Sequence, residues 1–293
     1  MKKCFFQTLN FHNKDIALYT PKISVIIPIF NCENSIRFSI SSIQNQRLKE
    51  IEIILVNDFS VDKSKYIIEN IKKSDQRIVL INNNKNMGTL YSRNIGALLA
   101  KGKYIFALDH DDIFLNELLV YKIFNIAENN GYDIIGFKTI YINKNLIYDE
   151  PFIKNKNDKV IIQPKLKFFP LTNKDIHIWG KCIKNEIYKK AISLMGKERS
   201  TTYLCYSEDE VILFMLFSVA QIYRFIPIFG LFHFVSQGSA SFKLSRNHKL
   251  FARIFYIELL FDLTANNFFE KHFAINIAIG LCKSIKKNPI LTL

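Results

Sequence analysis

From Ile23 onward the chain alternates short, unbroken apolar runs with segments whose apolar residues return every three or four positions. "ISVIIP" (23–28) is β-branched and continuous. In "NSIRFSISSIQNQ", which follows, Ile36, Ile40 and Ile43 recur at helical spacing behind Asn34 or Ser35, residue types that cap helices. The unit repeats as "IEIILVN" (51–57) with "DKSKYIIENIKKS", as "RIVLIN" (77–82) with "TLYSRNIGALLAKG", and as "KYIFALD" (103–109) with "NELLVYKIFNIAEN"; "YDIIGFKTIYI" (132–142) continues the series. Strands separated by amphipathic helices need crossover connections, which predicts an α/β fold with a Rossmann-like, mostly parallel central sheet flanked by helices. Beyond Ile142 the polar, lysine-rich "NKNLIYDEPFIKNKNDKV" predicts an excursion or loop before the apolar texture resumes at "IWGKCIKNEIYKKAISLMG" (178–196).

In such a sheet ligands sit outside the carboxyl ends of the strands. The residues there are Pro28 to Asn31, Asn57 to Ser60, "NNNKNMG" (82–88), and the acidic end of "YIFALDHDDIF" (104–114). Crowding Asp109, Asp111 and Asp112 together costs like-charge repulsion unless a cation neutralises it. With the chain extended, Asp109 and Asp111 point the same way and Asp112 turns with the following loop. Carboxylates with room for phosphate oxygens suit Mg²⁺ or Mn²⁺. A solvated turn and helix cap would use the same residues; the position at a rim where three other polar loops converge favours the clamp.

Composition narrows the setting. The 293 residues, 49% of them hydrophobic, can bury a full core. The net charge of +14, from 40 Lys and Arg against 26 Asp and Glu, points to anionic partners. Lys, Asn, Ile and Phe are abundant throughout, as an AT-rich genome would produce, so the charge is discounted accordingly, and no nucleic-acid recognition motif accompanies it. Five scattered cysteines without a CxxC pair imply reduced thiols and a cytoplasmic setting. The start does not read as a secretory signal, and no apolar run reaches the ~18–20 residues of a spanning helix, so a soluble or peripheral protein is expected.

The order of "ISVIIPIFN", "IEIILVNDFSVD" and "NNNKNMGTLYSRNIGALLAKGKYIFALDHDD" resembles the nucleotide-sugar half of family 2 glycosyltransferases, which have the GT-A fold; "IWGKCIKNEIYKKA" and "CYSEDEVILFMLF" resemble the acceptor half. The resemblance implies a catalytic domain (23–242, divided at 142/143) behind an N-terminal extension (1–22); the charge and apolar spacing of 243–293 predict a basic helical C-terminal segment. It also implies a UDP-sugar donor, Mn²⁺ or Mg²⁺, inversion at the anomeric carbon, and a glycan, lipid-linked or protein-linked acceptor.

Residue by residue, the resemblance implies that Pro28 and Asn31 shape the first loop and that Glu33 contacts the nucleotide. Asp58 accepts from the uracil ring, and Asn57 stands where an Asp is frequent, which leaves UDP open against other nucleotides. Gly88 lets the backbone pass close to the ligand, and Arg93 and Asn94 form the "RN" pair near the diphosphate. Asp109 and Asp111 are the DxD, with His110 an outward spacer. Asp111, Asp112 and a later His233 form the metal set. Asp209 of "SEDE" is the base beside Glu208, and Trp179 and Lys181 lie beside the acceptor. Read from the residues alone, several have plain structural alternatives: helix capping for the acidic first turn, a core position for Trp179 and His233, packing for Asn94. The C-terminal segment, with Phe251, Phe255, Leu259 and Asp262 on a helical face, suits either an anionic membrane surface or packing on the domain. Other classes are a catalytically inactive nucleotide-sugar-binding protein and a nucleotidyltransferase, though no glycine-rich phosphate loop follows the first strand.

Overall fold

The computed structural model describes residues 20–143, 146–149, 160–162, 177–234 and 246–264. The first half follows the expected rhythm: β1 (Ile23–Ile29), α1 (Ile36–Gln44), β2 (Ile51–Asn57), α2 (Ser64–Ser74), β3 (Ile78–Asn82), α3 (Thr89–Leu99), β4 (Tyr104–Ala107), a two-residue β5 (Ile113–Phe114), α4 (Leu119–Asn130) and β6 (Ile134–Asn143). Then come β7 (Leu146–Asp149), β8 (Val160–Ile162), β9 (Lys181–Lys184), α5 (Asn185–Met195), α6 (Lys197–Ser200), α7 (Glu208–Val219), β10 (Ile222–Phe234) and α8 (Arg246–Thr264). β7 and β8 place strand inside the stretch expected to be loop. Most of that stretch, nearly all of the N-terminal extension and the end of the C-terminal segment lie outside the described residues.

The strands form one sheet in the order β3-β2-β1-β4-β9-β6-β10-β5, with β7 on β6 and β8 on β10. From β3 to β4 the sheet is parallel, as crossovers through helices require. The second half is mixed, because β9 enters antiparallel between β4 and β6. All seven residues of β1 and of β2 are buried, which is why these strands read as continuous apolar runs. Their side chains alternate between two cores. Val25, Ile27, Ile53 and Leu55 pack with α1, α2 and α4, whereas Ile26, Ile54 and Val56 pack with α3, α5, α7 and α8.

Pro28 is a strand residue, not a loop residue. It sits in β1 opposite Val56. On the other side the β4 ladder ends at Ile26–Ala107, with Leu108 N–H donating to the Ile26 carbonyl. Two residues on, Pro28 faces the same way into space the ladder has left, so its missing N–H breaks no sheet bond.

Helix α7 is apolar all round, with Val211 through Phe217 buried, and such a helix must be enclosed. Helix α8 supplies one wall through Ala252, Phe255, Tyr256 and Leu259. Of the face expected to suit either an anionic membrane surface or packing on the domain, Phe255 and Leu259 are used internally, Phe251 is exposed, and Asp262 pairs with Arg199. Among the described residues no helix is long and apolar enough to cross a membrane.

Candidate active site

Among the described residues three non-glycine residues have left-handed backbone, and all three lie at one rim: Asn31 after β1, Phe59 after β2 and Ser207 before α7 (φ 49°, 64° and 55°). Such conformations persist only where surroundings hold them. The first two loops staple each other. Asn31 N–H donates to Ser60 Oγ (3.1 Å), and Val61 N–H donates to Asn31 Oδ1 (2.9 Å). Glu33 uses one carboxylate oxygen to accept from Lys63 N–H (2.9 Å) at the start of α2. Buried Asp58 holds the third loop: its Oδ1 accepts from Asn83 Nδ2 and Met87 N–H, and its Oδ2 from Gly88 N–H (2.8, 2.7 and 2.8 Å). Of a carboxylate's roughly four lone-pair sites, one on Oδ2 is left for a ligand. Asn57 accepts from Ser60 N–H and donates to Asn82 Oδ1; an Asp there could not donate.

Two expectations about backbone and spacer change. The space beside Gly88 (φ 84°) is taken by the protein's own chain, since a Cβ would meet the Leu204 backbone at 2.9 Å. The glycine thus admits the segment leading into α7 instead of a ligand. His110 is no outward spacer: its Nδ1 lies 3.1 Å from Ser35 Oγ, and its carbonyl accepts from Ser39 Oγ (2.7 Å), tying the acidic loop to α1. Asn94 is buried and donates to the Ser200 carbonyl (3.0 Å), a packing role.

The acidic cluster is organised by a turn. Asp112 N–H donates to the Asp109 carbonyl (3.1 Å), which folds the chain back and brings residues 109 and 112 together. Ligand atoms of Asp109, Asp112 and His233 lie within 4.8 Å of one another. The expected metal set of Asp111, Asp112 and His233 is corrected in one member: the Asp111 carboxylate lies 3.9 Å from His110 Nδ1 and stands outside this cluster. His233 Nδ1 is 2.9 Å from Asp112 Oδ1, while Asp112 Oδ2 is buried with no hydrogen-bond partner among the described residues. Burial pushes the Asp112 carboxyl up to about 7 against the pull of His233. A buried, unpaired carboxylate oxygen beside a second carboxylate and an imidazole fits a divalent cation.

Arg93, 2% exposed, connects this cluster to the far side of the site. It donates from one Nη to Asp109 Oδ1 (2.6 Å), and the same nitrogen lies 3.6 Å from Asp209 Oδ1. Burial opposes its charge, but Asp109, Asp209 and Glu208 raise its pKa above the ordinary value. Asp209 and Glu208, adjacent on the first turn of α7, are driven apart. Burial favours the neutral form of Asp209, yet Arg93, His177 and the Ile178 N–H together hold its pKa below the usual carboxylate value. Burial and the Asp209 charge push Glu208 up to about 8. The two carboxylates are thus pushed in opposite directions, Asp209 toward its ionised form and Glu208 toward its protonated one, an arrangement typical of acid–base sites.

The acceptor expectations fare differently. Trp179 is buried with both indole faces covered, by His177 on one side (centroids 4.2 Å apart, planes at 9°) and His233 on the other (4.5 Å, 14°). No face is left to stack on a sugar. Lys181 is buried in β9, and its Nζ donates to the His177 carbonyl (2.5 Å), a bond that holds the backbone of the ring stack. His177 itself was missed in the sequence. Its Nδ1 stands 3.7 Å from Asp209 Oδ2. The available signal was its spacing: two residues before Trp179, it shares a face with the indole in extended chain.

A mixed α/β sheet with helices on both faces and carboxylates gathered at its carboxyl rim matches the expected GT-A fold. Comparison agrees: the Glycosyl transferase family 2 model matches residues 24–192, more than half of the chain, and the chain belongs to that family. An uncharacterized glycosyltransferase of Rickettsia prowazekii, RP339, is 30% identical over 213 residues, covering 70% of this chain and 62% of that protein. The GalNAc(5)-diNAcBac-PP-undecaprenol beta-1,3-glucosyltransferase of Campylobacter jejuni is 40% identical over 100 residues, 34% of this chain and 32% of that one. Among solved structures, S. aureus TarS 1-349 in complex with UDP-GlcNAc superposes with a TM-score of 0.64 at 18% identity, covering 89% of this chain and 71% of TarS; at that identity the likeness speaks for the fold. The chain spans less than two thirds of the length of the curated relatives it matches first.

Proposed function

We propose that the protein is an inverting, metal-dependent glycosyltransferase that moves a sugar from a UDP-sugar to a hydroxyl of a glycan, lipid-linked or protein-linked acceptor. The observation that carries this reading is the Arg93 guanidinium set between Asp109 and Asp209, which joins the candidate donor side of the site to the candidate base. Support for the donor comes from the TarS neighbours, solved with UDP and with UDP-GlcNAc. The Campylobacter relative's name supports a lipid-linked acceptor, for which a cytoplasmic enzyme in peripheral contact with a membrane would be suited.

In this mechanism Asp58 offers its remaining lone pair to the base of the nucleotide. Asp109 and Asp112, with His233, would hold a divalent ion, Mn²⁺ or Mg²⁺, which when bound supplies positive charge against the departing diphosphate. Asp209 accepts the proton of the acceptor hydroxyl as its oxygen bonds to the anomeric carbon and the bond to the diphosphate breaks. A single displacement of this kind inverts the configuration. Glu208, held toward its protonated form, limits the negative charge beside the base, and Arg93 favours the ionised form of the base inside the protein.

The test compares the parent with Asp112→Asn and Asp209→Asn on a panel of UDP-sugars with Mn²⁺, reading UDP binding by calorimetry and UDP release by turnover. Asp112→Asn is expected to lose metal-dependent UDP binding. Asp209→Asn is expected to keep it while turnover falls by roughly 10²–10⁴-fold, the range for a lost general base. Tight UDP-sugar binding by the parent with no turnover on any donor would overturn the proposal in favour of a binding protein.

A further inference from the structure

Two routes run from Asp209 to the acidic cluster, and the mechanism above uses only one of them. The first passes through Arg93 to Asp109. The second begins at His177 Nδ1, 3.7 Å from Asp209 Oδ2. It crosses the Trp179 indole, flat against the His177 ring (4.2 Å, 9°) and against the His233 ring (4.5 Å, 14°), and ends at Asp112, 2.9 Å from His233 Nδ1. Tyr141 closes the edge of the stack, meeting both Trp179 and His233 at steep angles. The Lys181 bond to the His177 carbonyl fixes the backbone below. Three rings in contact, with both indole faces filled, leave His177 little freedom to turn without displacing its neighbours.

We propose that His177 is a positioning residue for the Asp209 carboxylate, and that the Trp179 stack ties its orientation to His233, so that occupancy of the Asp109–Asp112–His233 cluster is felt at the base. The inference rests on the functional reading above. His177 touches no reacting atom; it acts by aiming Asp209 and by adding a partner to the oxygen that Arg93 does not face. Among the described residues the groups facing Asp209 are Arg93 from α3, Tyr188 from α5, His177 and, on its own helix, Glu208 and Glu210. Of these, Arg93 and His177 favour the ionised carboxylate. Removing His177 therefore shifts the protonation of Asp209 upward, whereas removing a residue that served packing alone would not.

Trp179 is the chain's single tryptophan, so its emission reports the stack directly. In the full chain, His177→Ala is expected to lower kcat for UDP release roughly 10–100-fold, as loss of an outer orienting partner does. KM for the donor should stay unchanged and the acid limb of the kcat–pH profile should move to higher pH. His177→Gln, which keeps a donor, should recover part of kcat. The emission arm adds Mg²⁺ with UDP to the parent and to His177→Ala. Indole emission should respond in the parent, and its unliganded intensity should differ in the variant, which lacks one stacked imidazole. A parent-like kcat and acid limb in His177→Ala overturns the proposal, as does a loss of kcat with no movement of that limb. Should the parent turn over no UDP-sugar, the functional reading fails on its own, and the emission arm decides the linkage: a silent indole on addition of Mg²⁺ and UDP sinks it.

Discussion

Arg93 is the residue on which the site's electrostatics turn, because it is the buried cation between two carboxylates that belong to different halves of the chain. Its Nε and second Nη are buried without hydrogen-bond partners among the described residues, so its charge is balanced chiefly by these two carboxylates. Arg93→Met removes the cation but leaves Asp109 and Asp209 in place, and losing one partner of a buried charge pair costs about 3–5 kcal/mol. Urea unfolding is expected to show that loss, and turnover should fall with it. Glu208 supplies a test of sign. Its folded pKa of about 8 lies above the ordinary 4.5, so the folded state holds a proton that the unfolded chain releases between those values. The stability contributed by this group is full below about 4.5 and is lost as pH rises through 8. Glu208→Gln should flatten that fall when unfolding is compared at pH 5 and pH 8, and it should remove a basic limb near pH 8 from the kcat profile.

Among the elements, the β/α units up to α4 were legible because their strands are covered on both faces and their helices on one, so each wrote its own periodicity into the chain. Binary pattern reaches less far where a turn, not an element, sets geometry. Extended chain would pair Asp109 with Asp111, but the hydrogen bond from Asp112 N–H to the Asp109 carbonyl pairs residues 109 and 112 instead, and no hydrophobic period records it. The same limit hid the roles of Trp179 and Lys181, whose surroundings come from β6, β10 and the segment before β9, far apart in sequence. Gly88 shows how element contacts enter the site. It precedes α3, and Leu90 N–H donates to the Leu204 carbonyl (3.0 Å), so the first turn of α3 is docked on the segment that leads into α7. Gly88→Ala would strain a φ of 84° and press a methyl on the Leu204 backbone. A cost of about 1–3 kcal/mol is expected, together with reduced turnover, because the displaced segment carries Asp209; thermal unfolding and kcat measured on one preparation check both.

At the scale of the molecule, the two cores meet at one sheet, and the second core is complete only with α8. Helix α7 carries the candidate base on its first turn and is buried from Val211 to Phe217, so whatever covers α7 also holds Asp209 in place. Tyr256 of α8 meets Phe214 of α7 edge to face (5.8 Å, 74°), and Leu259 is fully buried. Phe251, on the same helix, is 48% exposed. A helix that packs and a helix that lies on a membrane would rank these residues oppositely. With α8 as a wall of the core, Leu259→Ala should cost about 2–5 kcal/mol, the range for a large-to-small change at a buried site, while Phe251→Ala should stay within about 0.5 kcal/mol as a surface change does. Co-sedimentation with anionic vesicles should be unaltered by Leu259→Ala at temperatures where the variant remains folded. If instead Phe251→Ala and Leu259→Ala both left unfolding unchanged and both weakened vesicle binding, α8 would be a membrane-facing helix and the enclosure of α7 would have to come from elsewhere.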